Sequence, residues 1–593
     1  MLRHLQKCDI LKQKQKSAQI GNMIIDQAGK LRSREIDQKH FEDLLSRAII
    51  EHGLSFSFVE YKWIRELFLY LYPGLRIPSR NTTVSNLWRI HDEEKVKVKN
   101  AMRKANSRIC LTSDCWTCIT QEGYICVTAH FVDSNWKLNS KILAFSKLDP
   151  PHGGHEMAKK IFEILLDWGI DRKVFSITLD NASANDTMVN FMKAQFNLQN
   201  SLICNGSYFH VRCSAHILNL IVQEGLGVAS GALKKIRESI KYVRGSEARK
   251  IAFKECVLQV RGIDTKVGLR MDVPTRWNST YVMLDSAIKY KRAFGCLAIR
   301  DRNYVHCPSD DEWNRAARMC EFLKPFFVMT NLISGSTYPT SNRYFMQVWK
   351  IEKLLREFVM CEDLVIKEMA SKMMTKFSKY WHDYCEILAI GAILDPRMKF
   401  GAIQFAYRKI EPSTSEEKIS ALRKKIYELF EEYEKVKSNE SNASTSNVSL
   451  LPPQPISYTD DEQVLDTFDE YVDYLSQNAT ANGKSELDLY LEEGNLDPKF
   501  HEKLDVLAYW RDRHDRYPNL SRMACDVLSI PITTVASESA FSLGSRVLTK
   551  YRSTILPENV ELLILTQNWL HGFEELGNFY NENFLIYFYN NSS

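Results

Sequence analysis

The chain has 593 residues, of which 45% are hydrophobic and 25% charged; it reads as globular and, being too long for one core, as roughly three or four domains. It holds no uninterrupted apolar run of about 18 residues and no charged-then-apolar leader, so neither a membrane span nor a signal peptide is expected, and the protein should stay on the cytosolic or nuclear side. Its 14 cysteines are scattered, without the dense spacing of a disulfide framework, and most are expected to be reduced core residues.

The net charge of +5 is small but uneven: residues 1–108 carry 21 Lys and Arg against 12 Asp and Glu, which leaves +9 there and −4 in the remainder. A basic N-terminal part on a near-neutral body is either an electrostatic footprint for phosphate or a solvated helical face. His4 and Cys8 are four residues apart, a spacing that would put them on one face of a helix; they are half of a tetrahedral zinc set, or coincidence. Lys12, Lys14 and Lys16 are weakly compatible with a localisation signal. From about Glu35 to Lys104 apolar residues recur at helical spacing, and the aromatic cluster Phe56, Phe58, Tyr61, Trp63, Phe68, Tyr70 and Tyr72 is expected to supply the core of a small helical domain.

Strands follow. Residues 108–117 read as an apolar strand closing on Asp114, residues 124–131 and 137–145 as a hairpin, and residues 156–168 as an amphipathic helix closed by Gly169. Residues 174–180 are a run of β-branched and aromatic side chains ending on Asp180, with small and polar residues after it that suit a turn and a helix N-cap. Two carboxylates at the ends of strands invite a divalent metal, since the loops beyond carry polar groups while the sheet holds them rigid. A helix to about Phe196 and a short strand at 208–211 complete the order β-β-β-α-β-α-β. That order resembles an RNase H-like sheet, in which the first and fourth strands are neighbours, so Asp114 and Asp180 are expected side by side.

Cys213 and His216 fit half a metal site or a structural pair. Arg276 and Trp277 stand in a polar loop, where the indole could stack on a base, a contact worth about 1–3 kcal/mol, or else belong to the core. Residues 281–434 are almost wholly helical without a fixed period, an all-α domain rather than a repeat array. Residues 437–459, rich in Ser and Asn and then Pro, read as a disordered linker. Further on, Glu538 stands among small residues at the start of a helix, as a surface group or a ligand. Leu556, Val560, Leu562, Leu563, Leu565, Trp569 and Leu570 supply more apolar surface than one short helix hides, which predicts a dimer interface; the alternative is burial against the chain's own sheet.

As a set, residues 111–117, 177–186, Cys213 with His216, Arg276-Trp277, Leu394-Asp395-Pro396-Arg397 and residues 535–542 resemble the hAT superfamily of DNA transposases, most of all its plant RICESLEEPER-like, domesticated branch. The resemblance covers about residues 100–572. It implies an α/β plus α protein: an RNase H-like mixed sheet interrupted by a large all-helical insertion, with a C-terminal dimerisation region. The implied divisions are a basic helical region with the remnant of a BED zinc finger (1–105), the first part of the catalytic core (106–225), the insertion (226–436), the linker (437–459) and a dimerisation region that completes the core (486–572).

The same resemblance makes Asp114, Asp180 and Glu538 the catalytic carboxylates, holding Mg²⁺ or Mn²⁺. It makes Cys213, His216, Arg276 and Trp277 the residues that shape the site and engage DNA. His4 and Cys8 become remnant zinc ligands, with Zn²⁺ needed only where a complete finger stands upstream. DNA and a second copy of the chain are the implied partners, and the nucleus the implied location. Two functions stay open: a metal-dependent transposase that cuts and rejoins strands, and a domesticated DNA-binding dimer acting in gene regulation without transposition. An RNase H acting on hybrids shares the fold but needs neither insertion nor dimerisation region.

Overall fold

The computed structural model describes residues 36–444 and 484–573, apart from 119, 152, 266–267, 336, 382–384, 550–551 and 553–554, together with the short antiparallel strands β1 (Met23–Ile25) and β2 (Leu31–Ser33). His4, Cys8 and the lysines at 12–16 lie outside the described residues, as does most of the expected linker.

The organising element is a five-stranded sheet of β3 (Ile109–Thr117), β4 (Gly123–Val132), β5 (Leu138–Leu148), β6 (Val174–Leu179) and β7 (His210–Arg212), in the order β5-β4-β3-β6-β7. β3, β4 and β5 form an antiparallel meander, while β6 runs parallel to β3 and β7 parallel to β6. β6 is buried along its whole length and β4 beyond its first residue. A strand covered on both faces reads as an unbroken apolar run, which is why these segments stand out in the sequence. The helix Gly154–Trp168 ends where Gly169 turns left-handed, with φ 67° and its N–H bonded back to Leu165 and Leu166.

One strand differs from expectation. β3 does not close on Asp114 but continues to Thr117, because β4 is long enough to pair with every residue from Cys110 to Thr117.

Two cores divide the chain. The first joins the sheet to the N-terminal helices and the last two helices, Val535–Val547 and Pro557–His571. The second is the helical insertion that follows β7; it includes Leu487, Tyr490, Trp510 and Leu520 from beyond residue 484 and is continuous with the sheet through Cys110, Val132, Phe175 and Val211. From the C-terminal region the helices Val535–Val547 and Pro557–His571 join the first core; the other part, residues 486–532, joins the second and also reaches the sheet, where the helix Pro518–Leu528 packs on β4.

A buried clamp holds the other part onto the insertion. Asp395, with no exposed surface, accepts hydrogen bonds from Arg397 and Asn342. Arg397 in turn donates to the carbonyls of His501 and Glu502, and Lys399 to those of Tyr490 and Glu493. The helix Ser415–Ser444 also runs into the start of the stretch expected to be a linker.

Two packing expectations are corrected. Val560, Leu562, Leu563, Leu565 and Trp569 are buried within the chain, where Pro557–His571 lies on β5 and on the helix Arg80–Arg103, so this apolar face is not a free dimer interface; only Leu556 is well exposed. The helix also satisfies the backbone of the edge strand β5. Asn568 and Glu561 accept from the amides of Ile142 and Phe145, and the Trp569 indole donates to the Ile142 carbonyl.

Conversely, the aromatic cluster at 56–72 is only partly a core. Phe56 is buried, but Trp63 is 76% and Tyr70 85% exposed, and the helix Lys62–Leu71 has no buried residue. Among the described residues no helix is long and apolar enough to cross a membrane, and the described cysteines are all free.

Candidate functional site

Asp180 is the first residue beyond β6, and the parallel register decides what it faces. Leu111 pairs with Ile177 and Thr112 with Thr178; two residues further, the same offset sets Asp114 beside Asp180. Asp180 is fixed by the amide of Ala182 at 3.0 Å and by Asn185 Nδ2 at 2.5 Å, a side-chain turn that ends the strand. Asp114 accepts from the Cys115 amide at 2.8 Å.

Side chains alternate across β3. Cys115 points to the helix Gly154–Trp168, its Sγ 3.6 Å from Met157 Sδ, so Asp114 faces the opposite side with Thr112. There the helix Val535–Val547 lies across β3, β4 and β5, and Ser537 Oγ is 2.9 Å from Thr112 Oγ1. Glu538 is the next residue.

The electrostatics tie the three acids together. Burial pushes the Asp114 carboxyl up to about 7; the charges of Glu538 and Asp180 add to this, against the Cys115 amide and the charge of Arg276. Glu538 is likewise raised by burial, and opposed by Arg276 and His216. Arg276, the N-cap of the helix Trp277–Lys289, thus lies within electrostatic reach of two of the acids. Its loop is braced by Asp272, wholly buried, which takes a two-pronged ion pair from Arg237 and a hydrogen bond from Thr280.

The remaining expected residues fall differently. Cys213 is buried and receives the Thr534 amide and hydroxyl at 3.4 Å each, so its thiol holds the chain entering the Glu538 helix. His216 is half-buried near Glu538. Trp277 is 2% exposed within the helical core; its ring packs inside the chain and presents no face to a base here.

Three half-buried carboxylates are hard oxygen donors, and the repulsion that Glu538 and Asp180 exert on Asp114 is what a divalent cation relieves, so the donor chemistry fits Mg²⁺ or Mn²⁺. As they stand, no three His, Cys, Asp or Glu side chains among the described residues close on a point that an ion could fill.

Sequence reading passed over Thr112, Thr128, His130 and Ser537, which are buried, the first three on the sheet face that carries Asp114. The signal was present: Thr128 and His130 alternate as polar residues inside an otherwise apolar strand.

A mixed sheet with this order, and with an acid just past the central parallel strand, defines the RNase H-like class. Within it, residues 112–208 match the ZBED1 RNase-like domain and residues 211–322 the ZBED1 RNase-like helical domain. Residues 342–433 match a hAT-like transposase, RNase-H fold, and residues 486–570 the hAT family C-terminal dimerisation region.

The chain is 34% identical to Zinc finger BED domain-containing protein RICESLEEPER 2 of Oryza sativa subsp. japonica, over 90% of this chain and 75% of the relative. It is 30% identical to Zinc finger BED domain-containing protein DAYSLEEPER of Arabidopsis thaliana, over 89% and 73%. Against a Zea mays protein named for the AC transposase the identity is 35% over 89% of this chain, which spans 64% of that relative's length. The chain belongs to the hAT family of transposases and their BED-type relatives.

Proposed function

We propose that this protein acts on DNA as a homodimer in the nucleus, and that Asp114, Asp180 and Glu538 form a carboxylate site for Mg²⁺ or Mn²⁺ that supports strand cleavage and transfer. The observation that carries this reading is the β3–β6 register, which sets Asp114 beside Asp180, with the charge of Glu538 acting on Asp114. When bound, a divalent ion there would polarise a phosphodiester and lower the pKa of an attacking water or 3′-OH. The chain's own residues orient the acids: Asn185 holds Asp180, the Cys115 amide holds Asp114, and Arg276 supplies a positive charge for phosphate. Dimerisation is supported by the match over residues 486–570. Zn²⁺ enters only with a complete BED finger, of which His4 and Cys8 would be the last two ligands.

The test is to incubate the purified full chain with duplex DNA and Mg²⁺ or Mn²⁺, beside Asp180→Ala. Nicking that requires the metal and disappears in the variant is expected, and nicking undiminished in the variant contradicts the assignment. A second reading, DNA binding in gene regulation without cutting, is favoured by relatives whose names are those of BED domain-containing proteins. It predicts salt-sensitive, weakly selective binding through the +9 N-terminal part, with no metal-dependent product.

A further inference from the structure

The face of the sheet that carries Asp114 also carries a line of polar side chains with no place in an ordinary apolar core. From the helix inward they are Ser537, Thr112, Thr128 and His130, all buried, and then Ser140, half-buried on β5. Ser537 Oγ is 2.9 Å from Thr112 Oγ1, Thr112 is hydrogen-bonded to Thr128, Thr128 Oγ1 is 3.0 Å from His130 Nε2, and His130 Nδ1 is 2.7 Å from Ser140 Oγ. Two of these links follow cross-strand pairs of the sheet, Thr112 with Thr128 and His130 with Ser140. Burial holds the imidazole neutral, its pKa pushed down to about 3, which leaves one ring nitrogen to donate and one to accept. Every member is satisfied, so the line is a connected network rather than a set of stranded polar groups.

Its outer end touches the helix Val535–Val547 one residue before Glu538. The chain leading into that helix is held by Thr178 on the Pro531 carbonyl, by the Ser214 amide on the Ile532 carbonyl, and by Thr534 on Cys213. Further along, the helix rests on apolar contacts, with Phe541 stacked on Trp116 at 5.9 Å between ring centroids. Apolar packing is non-directional and permits small slides and rotations; a hydrogen bond prescribes a position. Thr112 and Asp114 are one strand repeat apart on the same face, about 6.6 Å, so a helix pinned at Ser537 has its next residue held at the level of the acids.

We infer that Ser537 and Thr112, backed by Thr128, His130 and Ser140, are positioning residues that hold Glu538 over the Asp114–Asp180 edge and thereby set the site's affinity for a divalent cation. This rests on the carboxylate reading proposed above. Removing a hydrogen-bond partner behind a metal ligand typically costs 10–100-fold in affinity, and a loss of that size is expected here without loss of the fold.

The experiment is a Mn²⁺ titration of the full chain, followed by the thermal unfolding midpoint, for the wild type, Asp180→Asn, Thr112→Val, Thr112→Ser and Ser537→Ala. Expected are Mn²⁺ stabilisation of the wild type, none in Asp180→Asn, about tenfold or weaker affinity in Thr112→Val and Ser537→Ala, and near wild-type affinity in Thr112→Ser, which keeps the hydroxyl. If Thr112→Val proves too unstable to titrate, Ser537→Ala carries the test alone. Undiminished Mn²⁺ affinity in Ser537→Ala and Thr112→Val overturns the positioning role and leaves the carboxylate site intact. Equal weakening in Thr112→Ser also overturns it, since packing rather than the hydrogen bond would then matter. A wild type that does not respond to Mn²⁺ ends the carboxylate reading, and this inference with it.

Discussion

The helices Lys62–Leu71 and Pro557–His571 contrast sharply. Both are rich in large apolar side chains; the first was expected to supply a core and the second an interface. In the structure the first exposes Trp63, Leu67, Tyr70 and Leu71, while the second buries Leu562, Leu563, Leu565 and Trp569. Apolar content states that a helix has surface to lose, not where it loses it. What decides the matter is the edge of β5. Pro557–His571 carries Glu561, Asn568 and Trp569 at positions that satisfy that strand's amides and carbonyl, whereas Lys62–Leu71 has no comparable polar fit to a neighbour among the described contacts.

The contrast is breakable by substitution. Trp569→Ala is expected to cost the most, about 3–5 kcal/mol in chemical denaturation, because a buried ring and its indole hydrogen bond are lost together. A loss below about 1 kcal/mol would mean that the helix does not rest on the sheet. Asn568→Ala sharpens the point at the level of a single hydrogen bond: it strands the buried Ile142 amide and should lower stability by about 1–3 kcal/mol in the same assay. Trp63→Ala should leave the unfolding free energy within about 0.5 kcal/mol of wild type, as for other surface positions. A large destabilisation there would show that this helix has a covering partner.

Much of the site was legible in residues 108–117 and 174–186. β-Branched and aromatic runs that end on small polar residues have one sensible reading, and the placement of Asp180 follows from it. Asp114 was placed correctly beside β6 but not at a strand end, because the length of β3 is set by β4, a partner that its own sequence does not reveal. Trp277 stayed ambiguous for a physical reason: a polar loop says nothing of the hydrophobic core on which it folds. The Thr112–His130 line was missed because threonine is an ordinary strand residue, and only cross-strand pairing makes its hydroxyl part of a network.

The central claim, that Asp114 and Glu538 belong to one site, is tested most directly in metal-free buffer by a double-mutant cycle of Asp114→Asn and Glu538→Gln. With its folded pKa raised to about 7 from 3.8, Asp114 binds its proton more tightly in the native state, so its contribution to stability falls as pH rises through that window. Asp114→Asn should therefore stabilise the protein at pH 8 and have little charge-related effect at pH 3.5. In an urea unfolding series at pH 8, the account predicts that Glu538→Gln shrinks the gain from Asp114→Asn, with a coupling of about 0.5 kcal/mol or more. Strict additivity of the two substitutions at pH 8 would contradict it.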